Sequence, residues 1–101
     1  MIELSTLLKP HRDIRFRIID GEAVVLQQRD ARILSLNETG TRILGWLDET
    51  RTVKDLLDQL SEEYEVSATV LEADVLAYLG ELEAMNIIEP VYIASDMNHV
   101  L

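Results

Sequence analysis

The stretch Arg32-Ile33-Leu34-Ser35-Leu36-Asn37-Glu38-Thr39-Gly40-Thr41 changes its hydrophobic period half-way along, and that change limits the folds open to the chain. From Arg32 to Leu36 the residues alternate, Leu34 and Leu36 on one face and Ile33 and Ser35 on the other, as in a half-buried strand. Asn37 ends the alternation. Its side chain can accept a hydrogen bond from one of the free amides that open a helix, and Glu38 suits the positive end of the helix dipole. A strand therefore runs straight into a helix that starts at Asn37 or Glu38.

Upstream of this joint the pattern is that of strands. Over Asp13–Ile19, Ile14, Phe16 and Ile18 face one way and Arg15 and Arg17 the other, which predicts a strand with one wet face. Asp20-Gly21 tolerates the positive φ of a tight two-residue turn, and Ala23–Gln27 returns antiparallel. After Gln28-Arg29-Asp30 the Arg32 strand completes a three-stranded meander. Residues 1–12 hold Ile2, Leu4, Leu7 and Leu8, with spacing that favours neither helix nor strand, and are taken as an arm on the body or on a neighbouring chain.

Downstream the chain reads as three helices. Ile43, Leu44 and Leu47 mark the inner face of the first, and Asp48–Arg51 is a polar break. Thr52 followed by Asp55 resembles a capping box, ahead of Val53, Leu56, Leu57 and Leu60 at helical spacing to about Glu63. A third helix, capped by Ser67 or by Thr69 with Glu72, runs to about Asn86, before an extended Ile87-Ile88-Glu89 and Pro90. Its core face is Leu71, Val75, Tyr78, Leu79, Leu82 and Met85. The opposite side carries Ala73, Leu76, Ala77, Gly80 and Ala84, either as good helix formers or as a surface approached closely at Gly80. The fold class is α+β and winged-helix-like, with an arm over 1–12, a body over 13–90 and a tail over 91–101.

Charge and composition narrow the function. The chain of 101 residues, 48% hydrophobic, has room for one modest core. Its net charge of −10 is uneven: residues 1–51 hold eight acidic and eight basic residues, and residues 52–101 hold eleven acidic residues against Lys54. Such a field repels phosphate backbones and argues against nucleic-acid binding through the second half; its plainest reading is a solvated acidic face. There is no Cys, no apolar run of membrane-spanning length and no signal-peptide pattern, which fits a cytoplasmic protein. His11 and His99 sit in the arm and tail, the glycines are too dispersed for a phosphate loop, and Ser35, Ser61 and Ser67 lack a nucleophile-elbow context. The reading is of a protein that is not an enzyme and uses no cofactor or metal.

A meander followed by helices leaves an outer strand open, and an extended peptide can satisfy its backbone groups. The run Leu36-Asn37-Glu38-Thr39-Gly40 with Ile43-Leu44, then Thr52-Val53 with Leu56 and Leu60, Tyr64, Asp74-Val75, Leu79 and Leu82, resembles the PqqD family over about Asp13–Pro90. That resemblance implies a small RiPP recognition element, a peptide chaperone. Such a domain binds the leader of a ribosomally made precursor peptide as an added strand and presents it to a modifying enzyme, a radical SAM protein in the case of pyrroloquinoline quinone. It implies that Arg32, Ile33, Leu34, Ser35 and Leu36 pair with the leader and that the third helix forms the other wall. The flank chosen for that wall is Val70, Asp74, Ala77, Tyr78 and Glu81, although Tyr78 also fits the core face.

Two further readings stand beside this one. A winged-helix transcriptional regulator needs basic residues on its reading helix, where the second helix offers Lys54 alone and the third none. A scaffold domain would form a homodimer through the open edge or the small-residue face of the third helix.

Overall fold

The computed structural model describes residues 2–91; the tail beyond Val91, with His99, lies outside them. Along the chain run β1 (Leu8–Pro10), β2 (Ile14–Ile19), β3 (Glu22–Gln27), β4 (Arg32–Ser35), α1 (Glu38–Trp46), α2 (Val53–Ser61), α3 (Ala68–Ala84) and β5 (Ile88–Pro90). Strands β2, β3 and β4 form an antiparallel sheet in that order, with β3 central, so the α+β, winged-helix-like meander followed by three helices is the fold. Strands β1 and β5 pair separately, with Leu8 opposite Pro90 and Pro10 opposite Ile88.

Local chemistry explains the boundaries. Asp20 and Gly21 adopt φ of +51° and +81°, the two positive values that a primed hairpin turn requires between β2 and β3. Asn37 caps α1, its Oδ1 accepting from the Gly40 amide at 2.8 Å. Thr52 and Asp55 form a reciprocal capping box on α2, the Asp55 amide donating to Thr52 Oγ1 at 3.2 Å and the Thr52 amide to Asp55 Oδ2 at 2.9 Å. Ser67, not Thr69, caps α3. Asn86 takes the left-handed conformation that ends α3, and the Ile87 amide reaches back to the Leu82 carbonyl at 2.9 Å, which turns the chain into β5.

The core lies between the β2–β3–β4 sheet and the helices. Val25 from β3, Ile43 and Leu44 from α1, Leu56 and Leu60 from α2 and Leu79 and Leu82 from α3 meet there, together with Leu8, Ile87 and Ile88. Burying each large apolar side chain contributes about 1.5–3 kcal/mol. The start of the chain is held as well: the Val53 and Lys54 amides, free donors at the first turn of α2, bond to the Thr6 and Leu4 carbonyls at 3.0 Å each.

Three side chains depart from the sequence pattern. In β2 only Ile14 is buried, while Phe16 is 37% and Ile18 50% exposed. β2 is an outer strand of its sheet, and the helices cover central β3, where Ala23 and Val25 are fully buried, more than they cover β2; Ile18 lies near Gly45 of α1. Met85, expected on the core face of α3, is 45% exposed because the helix ends there. Gly80 has nothing close to its α-carbon on the side where a Cβ would point, so the approach allowed for there is absent among the described residues.

The strand-to-helix joint is closed by a buried threonine. Where β4 ends, the Leu36 amide still donates to the Ala23 carbonyl at 2.9 Å, but the return bond is not made directly. The Ala23 amide donates to Thr41 Oγ1 at 2.8 Å, and that hydroxyl donates to the Leu36 carbonyl at 3.3 Å. Thr41→Val keeps the shape but leaves a buried N–H and a buried C=O unpaired, which costs about 1–3 kcal/mol. Urea unfolding should show that loss for Thr41→Val and a much smaller one for Thr41→Ser.

Candidate functional site

Strand β4 is the last strand of its sheet, and its far side meets no other strand among the described residues. Leu34 turns inward against the core and Leu36 is buried, whereas Arg32, Ile33 and Ser35 are exposed. Past the end of this strand opens a cleft of about 330 Å³ between the first turn of α1, the end of α2 and the near face of α3. Its apolar lining comes from Leu60, Leu71, Val75, Tyr64 and Val66, and its polar groups are Asn37, Thr39, Asp74 and the Tyr78 hydroxyl.

Within that cleft the Asn37 side chain has two tasks. The same Oδ1 that caps α1 accepts from Tyr78 Oη at 3.2 Å, so the start of α1 and the middle of α3 are tied through one oxygen. Gly40 makes room for this contact, because a Cβ there would collide with the Tyr78 hydroxyl. Opposite, Thr39 Oγ1 and Tyr64 Oη lie 3.3 Å apart, and outside the cleft Arg42 pairs with Glu63 and lies over the Trp46 ring. Burial, and secondarily the Glu81 carboxylate, push the Tyr78 phenol above its ordinary value of 10.0. It therefore stays a donor at neutral pH.

Of the residues marked in the sequence, Asp74 and Tyr78 line the cleft. Val70, Ala77 and Glu81 are exposed on the same helix without lining it, and none of Arg32–Leu36 lines it; the first of its lining residues along the chain, Asn37, follows directly after them. The sequence pattern marks Asn37 only as a cap and Leu71 and Val75 only as core, and leaves Tyr64–Val66 between the second and third helices without a role in the site. Two large apolar residues in a short interhelical connection were the available sign that this linker borders a cavity.

The family model described as Coenzyme PQQ synthesis protein D (PqqD) matches residues 22–88, well over half of the sequence. The chain belongs to the PqqD family. No curated protein matches it. Among solved structures, "TbiB1 in Complex with the TbiA(beta) Leader Peptide" superposes with a TM-score of 0.74 at 25% identity, over 84% of this chain and 99% of that one. "Lasso peptide synthetase B1 complexed with the leader peptide" gives 0.72 at 26% identity, over 82% and 98%.

The "LNETG" run of this PqqD-family chain thus combines a helix cap with a wall of the cleft. In Gly40→Ala the helix gains about 1 kcal/mol of propensity while Tyr78 is driven off Asn37, a loss of similar size. Thermal unfolding should shift little, whereas the NMR signals of the Tyr78 ring should move strongly.

The raised phenol gives a second expectation. Stability linked to Tyr78 is fully present below the ordinary tyrosine range and is lost as pH rises through the elevated folded value. Absorbance titration at alkaline pH should lose its Tyr78 step in Tyr78→Phe, and that step should move down in Glu81→Gln.

Proposed function

We propose that this PqqD-family domain captures the leader segment of a ribosomally made precursor peptide as an added strand on β4 and presents it to a modifying enzyme in the cytoplasm. The observation that carries this reading is an open β4 edge followed, from Asn37 on, by an apolar cleft walled by α3. Strand addition satisfies the free backbone groups, while side-chain pockets select the peptide. Both structural neighbours were solved with a leader peptide, which supports the same use of the fold here. The domain binds and does not transform its peptide; a radical SAM protein is one enzyme class it would serve.

In this reading Arg32–Leu36 supply the pairing strand, with Val70, Asp74, Ala77, Tyr78 and Glu81 on the opposing wall. Alternate inward side chains of the leader enter the cleft over Leu71 and Val75, beside the Tyr78 ring. The exposed carboxylates of Asp74 and Glu81 favour Lys or Arg in the leader near that wall, since opposite charges speed encounter and fix register.

A display selection of random 14-residue peptides against the purified protein should enrich sequences with alternating apolar residues and a nearby basic one. Calorimetry on an enriched peptide should then show several-fold weaker binding to the double variant Asp74→Lys, Glu81→Lys, with the difference shrinking as ionic strength rises. A selection that enriches nothing, or peptides whose affinity ignores Tyr78→Ala and every β4 substitution, would exclude the proposed role.

A further inference from the structure

We infer that the added strand is read from both sides of the sheet, and that its residue facing Ile33, on the side away from the helices, is large and apolar. This rests on the strand-addition reading and specifies which peptides it admits.

The inference follows from the hydrogen-bonding phase of β4. The Leu36 amide bonds to the Ala23 carbonyl, and β3 and β4 pair with Leu34 opposite Val25 and Arg32 opposite Gln27. Antiparallel strands alternate between residues that bond inward and residues that bond outward. Leu36, Leu34 and Arg32 therefore direct their N–H and C=O groups at β3, and Ile33 and Ser35 direct theirs at the vacant edge. A guest strand must bond to Ile33 and Ser35.

Side chains directly opposite in a ladder share a face. The guest residues beside Ile33 and Ser35 consequently stand on the outer face, and their neighbours point toward α3. On that outer face the register already lines up Arg15, Leu26 and Ile33 across the three strands. Leu26 is 39% exposed and Ile33, at the open end of the row, is 71% exposed. An isolated Ile so uncovered on an edge strand needs no explanation alone. Here it abuts the place where the fourth strand joins, with Leu26 behind it, so a β-branched or aromatic guest side chain extends the row and covers it.

The test is a paired display selection on the intact protein, native and with Ile33→Glu. Native protein should enrich an apolar residue at one fixed position adjacent to the cleft-facing ones. With Ile33→Glu that position should switch to Lys or Arg while the cleft-facing positions stay the same, and peptides selected on the native protein should bind up to about five-fold weaker, the size of one cross-strand pair. Ile33→Lys should switch the same position to Asp or Glu, an independent check should the first variant fold poorly. Unchanged consensus and affinity in both variants, with Tyr78→Ala still impairing binding, would overturn reading from the outer face and leave strand addition intact. Peptides indifferent to the Ile33 and Tyr78 variants alike would instead remove strand addition itself.

Discussion

The hydroxyl of Thr41 stands where a direct ladder bond between Ala23 and Leu36 would otherwise close. By accepting from one and donating to the other, it lets the chain leave the sheet within one residue and enter α1 without stranding a buried polar group. Much else depends on that exit. Next along the chain is Asn37, whose side-chain oxygen both opens α1 and holds the Tyr78 phenol. The Leu36–Ala23 bond beside it shares the phase of the β3–β4 ladder, which decides which backbone groups of β4 face the solvent edge.

The cleft is consequently a product of the joint rather than of α3 alone. A single amide oxygen sets the distance between two helices, and a missing Cβ at Gly40 leaves space for the phenol that reaches it. Apolar side chains from α2, α3 and the segment between them make the floor, and the exposed carboxylates of Asp74 and Glu81 give the surrounding wall its sign. In the proposed peptide complex, binding energy and selectivity would thus come from different residues, the first from burial and the second from the rim.

Much of this was legible in the sequence because it is local. The change of period at Leu36, the Asp20-Gly21 turn, the Thr52–Asp55 box and the Asn37 cap are each decided within four residues, and each is found. What escaped depends on distant coverage. Alternation put Phe16 and Ile18 on one face but could not say that β2, at the edge of the sheet, leaves them partly uncovered. Helical period assigned Met85 to the core, yet the left-handed Asn86 beside it ends α3 first. Leu8–Pro10 lacks any pattern of its own and becomes a strand only because β5 arrives to pair with it. Tyr78 fitted two faces, and it is half-buried between them, which no single-helix argument could resolve.

The pairing of β1 with β5 brings the first and last strands of the fold alongside each other, Leu8 facing Pro90. A folded unit whose first and last strands adjoin can be spliced into a longer polypeptide as a cassette, with the segment before β1 still seated on α2. The same architecture would then serve as a free-standing carrier or as an embedded module of a larger assembly, with no redesign of its interior.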